Sequence, residues 1–302
     1  NKVATSIQKS GFVVGKQTEK LSAADFKDED EKVNPDDELR FADGNNTKVK
    51  LATKESVDKD GNKVTTTTVK VDVTGLPVQY TDKNGTPVTA TYSPEFVKVT
   101  PTGTGTKTEG LQGQVQEGQV IFTPGHGSVP FPAGSTPLFD NGSAVKEVPN
   151  VGKFKVNADG KVIFTPDKQF KGETPELELT RTDANGTPVT VKYQAVVKEV
   201  VPRGTDATST GPQGVPQTGS PSFQGGDPLV PIDMDSPMTF DDGQPKKTVP
   251  GVGVYTINSD GSITFTPDKR YVGTPVPVTV KRVDKNGTEV TASYTPTVTK
   301  VT

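Results

Sequence analysis

Cysteine and tryptophan are absent from all 302 residues, and histidine occurs once, at His126. No disulfide can staple the fold, no thiol can serve as nucleophile or metal ligand, and nucleophilic catalysis has a single imidazole to draw on. Hydrophobic residues are scarce too, at 30%. No run of about 20 apolar residues could cross a membrane as a helix. The chain opens at Asn1 without a charged and then apolar leader, so it reads as a mature fragment. Charge of one sign is also missing. Basic side chains number 34 and acidic ones 37, for a formal charge of -3, and no basic stripe runs along the chain, which argues against nucleic acid as a partner.

What the chain does have is 31 glycines and 26 prolines, a composition that approaches that of disordered proteins. Order is written into it as repetition. Asp183-Ala-Asn-Gly-Thr187 returns as Asp284-Lys-Asn-Gly-Thr288, a step of 101 residues. Phe164-Thr-Pro-Asp167 and Phe265-Thr-Pro-Asp268, and Gly110-Leu-Gln-Gly113 and Gly211-Pro-Gln-Gly214, keep the same step without a gap. One step upstream lies Asp82-Lys-Asn-Gly-Thr86, and Tyr92, Tyr193 and Tyr294 share a phase. So long a period means an array of domains. The expected division is 1–100, 101–201 and 202–302, with the first unit divergent and sharing the final hairpin.

Apolar residues alternate on both sides of each Asn-Gly: Val276, Val278 and Val280 before it in the last unit, Val290, Ala292 and Tyr294 after it. Leu177, Leu179, Val189, Val191 and Tyr193 repeat this, as do Leu76, Val78, Val88, Ala90 and Tyr92. A two-residue period marks strands with one buried face, and Asn-Gly supplies the positive φ angles of a tight hairpin. A second hairpin is expected from Phe154 and Val156 through Asn157-Ala-Asp-Gly160 to Val162 and Phe164, and again from Tyr255 to Phe265. The proline of each Phe-Thr-Pro-Asp should end its strand. With no helical period anywhere, the expected class is all-β, in tandem β-sandwiches arranged as an elongated array. The Gly-, Pro- and Thr-rich openings at 101–118 and 202–226 keep the repeat phase, which favours extended edge segments over free linkers. The first unit differs before residue 60: it carries an acidic run at 28–38 and has Phe41-Ala-Asp-Gly44 where the others have a strand end and turn at Phe139-Asp-Asn-Gly142 and Phe240-Asp-Asp-Gly243. It also has a threonine run at 65–68 suited to a strand.

Candidate chemistry is weighed against this geometry. His126 has Asp227 as its counterpart, so a duplicated catalytic imidazole is excluded and a surface role is expected. Asp58-Lys-Asp60-Gly61, Asp183-Ala-Asn185-Gly186 and Asp284-Lys-Asn286-Gly287 start like calcium loops but lack the closing glutamate, so turns account for them. Lys146 with Lys247, Lys168 with Lys269 and Asn157 with Asn258 match across the repeat, but no glutamate does. That disfavours a glutamate-assisted isopeptide bond and leaves open one that uses matched aspartates. Arg181 and Arg282 are expected at the sandwich rim near Asp183 and Asp284. Val215-Pro-Gln-Thr-Gly219 differs by one letter from a sortase signal but has no hydrophobic stretch after it. No residue is assigned to catalysis, to a cofactor or to a metal, and ligand-binding residues are not identified. Paired carboxylates in the acidic run would be needed for a hydrolase.

The ordered set Val-Gly-x-[Phe/Tyr]-x-[Val/Ile]-Asn-x-Asp-Gly at 151–160 and 252–261, Phe-Thr-Pro-Asp, Gly172-x-x-Pro175, Gly273-Thr-Pro275 and the closing Asp-x-Asn-Gly-Thr resembles the CshA-type fibril repeat over 101–302. The resemblance implies a secreted fibrillar adhesin attached to a Gram-positive cell wall, with neighbouring repeats as its partners and no catalytic activity. It also implies that host ligands such as fibronectin are met mainly by a non-repetitive region elsewhere in such proteins. A stalk segment is therefore expected. The alternative is a binding module, in which the divergent first unit or exposed repeat edges capture a host glycoprotein or glycan.

Overall fold

The computed structural model describes residues 84–86 and 99–302 in full and, before residue 99, the backbone of several strands. Every regular element among the described residues is a strand. The chain is all-β and built of tandem β-sandwiches.

In the middle sandwich one sheet is antiparallel in the order Gln116–Gln119, Lys161–Pro166, Gly152–Val156, Val145–Val148. The other runs Leu138–Phe139, Leu177–Thr182, Pro188–Lys198, with Gly172–Glu173 and Thr106–Leu111 also bonded to the long strand. The C-terminal sandwich repeats this with Gln217–Gly219, Ile263–Pro267, Gly253–Ile257 and Lys246–Val249 against Thr239–Phe240, Val278–Val283, Glu289–Thr299 and Ala207–Pro212. The glycine-rich openings are ordered edge strands, as their kept phase implied: Thr106–Leu111 and Ala207–Pro212 lie parallel to the long strands.

The first hundred residues share more than the final hairpin. Leu76 stands opposite Tyr92 as Leu177 does Tyr193 and Val278 does Tyr294. Phe41 pairs with Val78, the place held by Phe139 opposite Leu179 and Phe240 opposite Val280. Ile7–Val13 runs parallel to Pro87–Val97, and the threonine run lies in the strand Lys63–Val71, paired with Val49–Val57. The acidic run at 28–38 lies outside the described residues.

The inward phase holds for Leu177, Leu179, Val191 and Tyr193 and for Val278, Val280, Val290, Ala292 and Tyr294, all buried, while Val189 is half-buried. Val276 breaks it. This residue is 85% exposed because the strand begins only at Val278. Pro275 and Pro277 flank it, and Pro277 has no N–H to give the ladder. The strands Lys161–Pro166 and Ile263–Pro267 end at their prolines, as anticipated.

Each lean core is organised by aromatics. Phe154 and Phe164 are cross-strand partners stacked at 4.4 Å, with Tyr193 edge-on to Phe154 at 6.1 Å. Tyr255, Phe265 and Tyr294 repeat the arrangement at 4.6 and 6.1 Å. Such pairs contribute about 0.5–1.5 kcal/mol each beyond their buried area. The tyrosine hydroxyl in each core is tied to the opening strand. Tyr193 bonds Thr108 at 2.6 Å, Thr108 donates to Gln116 Oε1 at 2.7 Å, and Gln116 Nε2 donates to the Val196 carbonyl at 3.0 Å. Tyr294, Ser209, Gln217 and the Thr297 carbonyl repeat the chain at 2.5, 2.6 and 2.9 Å. Room for the ring comes from Gly118 and Gly219, where a Cβ would sit 2.7 Å from Tyr193 Cε2 and 2.3 Å from Tyr294 Cε1.

The buried tyrosine hydroxyls yield two predictions. Tyr255 occupies the position of Phe154, and its buried hydroxyl has no hydrogen-bond partner. Tyr255→Phe should stabilise the C-terminal sandwich by about 1 kcal/mol, and Phe154→Tyr should destabilise the middle one by a similar amount, read from denaturant midpoints. Burial raises the phenol pKa of Tyr193, Tyr255 and Tyr294, with the Thr108 and Ser209 hydrogen bonds lowering those of Tyr193 and Tyr294 in part. A folded pKa above the unfolded value of about 10 favours the fold while the phenol is neutral. Stability should therefore be fully retained below about pH 10 and fall as pH rises beyond it, in step with tyrosinate absorbance.

Candidate functional site

His126 and its counterpart Asp227 prove to be turn formers. His126 Nδ1 accepts the N–H of Ser128 at 3.0 Å, and its counterpart Asp227 Oδ1 accepts that of Leu229 at 2.9 Å. One loop is capped twice by different acceptors. Gln217 of the sortase-like string is buried in the tyrosine network, where Gln116 stands in the other repeat. Arg181 and Arg282 are half-buried and engage groups other than the aspartates. Arg181 sits 4.7 Å over the Phe131 ring with Nε 3.3 Å from Ser135 Oγ, and Arg282 donates to the Ser236 carbonyl at 3.2 Å.

Matched lysines do meet matched acids. Lys146 contacts Asp140, and Lys247 Nζ lies 2.8 Å from Asp241 Oδ1. Both carboxylates are more than half exposed, at 57% and 56%, and the Lys247 hydrogen bond holds that of Asp241 below its ordinary range. Amide formation needs a neutral acid and amine shielded from water, so these are ordinary surface ion pairs worth about 0–1 kcal/mol.

The Asp-x-Asn-Gly-Thr hairpin forms as expected, but its asparagine does not take a positive φ. Only its glycine is left-handed, at φ 83° for Gly186 and 80° for Gly287. Gly287 N–H donates to the Asp284 carbonyl at 2.9 Å and Asp284 N–H to that of Thr288 at 3.0 Å, a three-residue loop with a glycine bulge. The cause is the buried aspartate: Asp284 Oδ1 accepts the N–H groups of Asn286 and Thr288, both at 2.9 Å, and Asp183 does the same for Asn185 and Thr187 at 3.0 and 2.8 Å. That carboxylate oxygen is committed to the turn. Among the described residues no group of three or more acidic or histidine side chains could hold a metal ion. Asp58 to Gly61 lie outside the described residues.

This tip has a second task. Asn286 is buried because it projects into the middle sandwich, where Nδ2 donates to the Gln112 carbonyl at 2.8 Å. In return Gln169 Nε2 donates to the Asn286 carbonyl at 2.5 Å and to Thr288 Oγ1 at 3.1 Å. Gly113, at φ 80°, forms the floor: a Cβ there would lie 1.9 Å from Asn286 Oδ1. Nearby, Asp233 is held below the ordinary carboxylate range by Lys285, then by the Asp235 N–H, with a smaller pull from Lys168 of the other sandwich.

The connecting chain is gripped from both ends. Between the strands Pro188–Lys198 and Arg203–Thr205 only residues 199–202 intervene. Val200 N–H donates to Gln112 Oε1 at 3.1 Å, fixing the linker to the sandwich it leaves. A Cβ on Gly226 would meet the Val201 carbonyl oxygen at 2.4 Å, so the linker also lies against the sandwich it enters, and Gly125 against Thr100 repeats that contact. Sequence reasoning used Asn286 only as a turn former and gave Gln112 and Gln169 no role. The kept Gly-x-Gln-Gly motif was the available signal for Gln112; Gln169, replaced by Arg270 one step on, had none.

Comparison with known proteins places two consecutive matches to the family model described as the surface adhesin CshA repetitive domain, at residues 98–197 and 199–298. Among solved structures, repeat domain 13 of the fibrillar adhesin CshA from Streptococcus gordonii is 68% identical, over 24% of this chain and 94% of that one, with a TM-score of 0.16. Drosophila N-cadherin EC1-3 and mouse cadherin-23 EC22-24 align over 100% of both chains at 13% and 14% identity, with TM-scores of 0.28 and 0.31. A search of curated proteins gives no match.

If His126 serves only as a loop acceptor, His126→Asp should preserve the turn, as Asp227 does in the next repeat. The thermal midpoint should shift by no more than the equivalent of about 0.5 kcal/mol, whereas His126→Ala should cost more.

Proposed function

Since the chain belongs to the family of the surface adhesin CshA repetitive domain, we propose that it is a stalk segment of a bacterial fibrillar adhesin. It would consist of three modules, at 1–100, 101–201 and 202–302, and hold an adhesive region away from the cell wall of a Gram-positive bacterium. Its partners in this role are neighbouring repeats, and it works by projection and not by catalysis. Host contact, with fibronectin or another glycoprotein, falls to other parts of such an adhesin.

One observation carries this reading: the hairpin tip of the C-terminal sandwich is seated on the Gln112 corner of the middle one, with a linker pinned on both sides. Lateral packing would bury sheet faces against each other. Seating one end on the next adds length with each repeat and buries little, which is what a stalk requires. The absence of cysteine is consistent with this, since buried tyrosine networks and aromatic stacks hold each module.

Small-angle scattering of the whole chain should show an elongated particle about three domains long. A compact globule would defeat the stalk reading. Fibronectin binding by residues 1–100 but not by 101–302, measured by surface plasmon resonance, would favour the binding-module alternative for the first unit.

A further inference from the structure

The C-terminal sandwich carries, at its far end, the same corner that the middle sandwich uses to seat a hairpin tip. Gln213 N–H bonds the Thr299 carbonyl at 2.8 Å as Gln112 N–H bonds that of Lys198 at 2.8 Å. Gly214 has φ 78° against 80° for Gly113, so the two floors are alike. What differs is occupancy. Gln112 is buried under Asn286, while Gln213 is half-exposed, and a Cβ on Gly214 would meet nothing within 4 Å.

We propose that the corner made by Gln213, Gly214 and Arg270 is a docking socket for the Asp-x-Asn-Gly-Thr hairpin tip of a further copy of this repeat. The socket's chemistry selects that occupant. The Gln213 carbonyl is placed to accept an asparagine amide, as the Gln112 carbonyl does, and Gly214 leaves the space a side chain would fill. Arg270 stands where Gln169 donates to the tip's carbonyl and threonine hydroxyl. Its guanidinium offers several N–H donors for the same two acceptors and is exposed. Lys269 keeps the positive charge that Lys168 turns toward Asp233. A copy of residues 202–302 brings the matching groups: Asn286 on the tip, Thr288 beside it and Asp233 at the rim.

The tip is equally specific from its own side. Asp284 fixes the turn from within, so Asn286 projects from a rigid loop and loses little freedom on docking. Both fully described repeats thus have a tip at one end and a corner at the other. Such a head-to-tail contact, repeated along one chain, propagates with a fixed turn per repeat. The inference deepens the stalk reading and rests on it, but it adds that the joint is oriented, where beads on a loose string would serve a stalk as well.

The test uses the full chain extended at Thr302 by a second copy of residues 202–302, with spin labels on cysteines introduced into the cysteine-free sequence. Labels at Ala158 and Ser259, both exposed at matching positions, read the joint seen here. Labels at Ser259 and its copy read the new joint. Two narrow distance distributions with similar means are expected. A narrow distribution at the first joint and a broad one at the second would overturn the socket. Replacing the copy's counterpart of Asn286 by Ala should broaden only the new joint, with cooperative unfolding unchanged; no broadening would also overturn it. Scattering separates the two readings. An extended particle with a broad second joint removes the socket and leaves the stalk, whereas a compact particle removes the stalk.

Discussion

The hydrogen bond between a core tyrosine and the opening strand is the constraint on which each sandwich depends. Tyr193 lies at the centre of one sheet, and through Thr108 and Gln116 it reaches an edge strand and the facing sheet in a single chain of bonds. The opening segment has almost no apolar side chains to bury, so hydrophobic burial alone could not hold it. A satisfied polar chain in a low-dielectric interior can. The substitution of Ser209 for Thr108 keeps the hydroxyl and gives up a methyl group, which indicates that the bond matters more than the packing there. Gly118 and Gly219 belong to the same device, since any side chain would push the ring off its partner.

From this fixed opening strand the joint follows. Gln112 lies immediately after the strand Thr106–Leu111, and its side chain and carbonyl face the linker and the next sandwich. A loose opening segment would leave the corner undefined. The hairpin tip is made rigid by a separate device, the buried aspartate that accepts two backbone N–H groups. Two preorganised surfaces meet, so a small contact can set an orientation without large buried area.

The turns also account for several chemically suggestive residues among those described. His126 and Asp227 perform one hydrogen-bonding task, and Asp183 and Asp284 spend an oxygen on backbone donors. Lys146 and Lys247 meet acids in water, where an ion pair is weak and an amide does not form. Across the step of 101 residues, what is kept is hydrogen-bond geometry, and a residue may change its type when the acceptor is preserved.

The all-β class, the repeat and most inward positions are legible along the chain, because alternation, turn glycines and strand-ending prolines are local in origin and need only neighbours in the chain. Local reasoning reached its limit at Val276, where the alternating phase ran on through two prolines that start the strand late. It also assigned a positive φ to the asparagine as well as the glycine, since the Asp284 carboxylate that reshapes the turn acts through its burial. The joint was decided by tertiary structure alone. Asn286 and Gln112 are 174 residues apart, and a contact between them exists only once two sandwiches have folded and their ends have met. Nothing in the periodicity of either segment encodes it, because an asparagine that forms a turn and one that also reaches across a joint have the same neighbours in sequence.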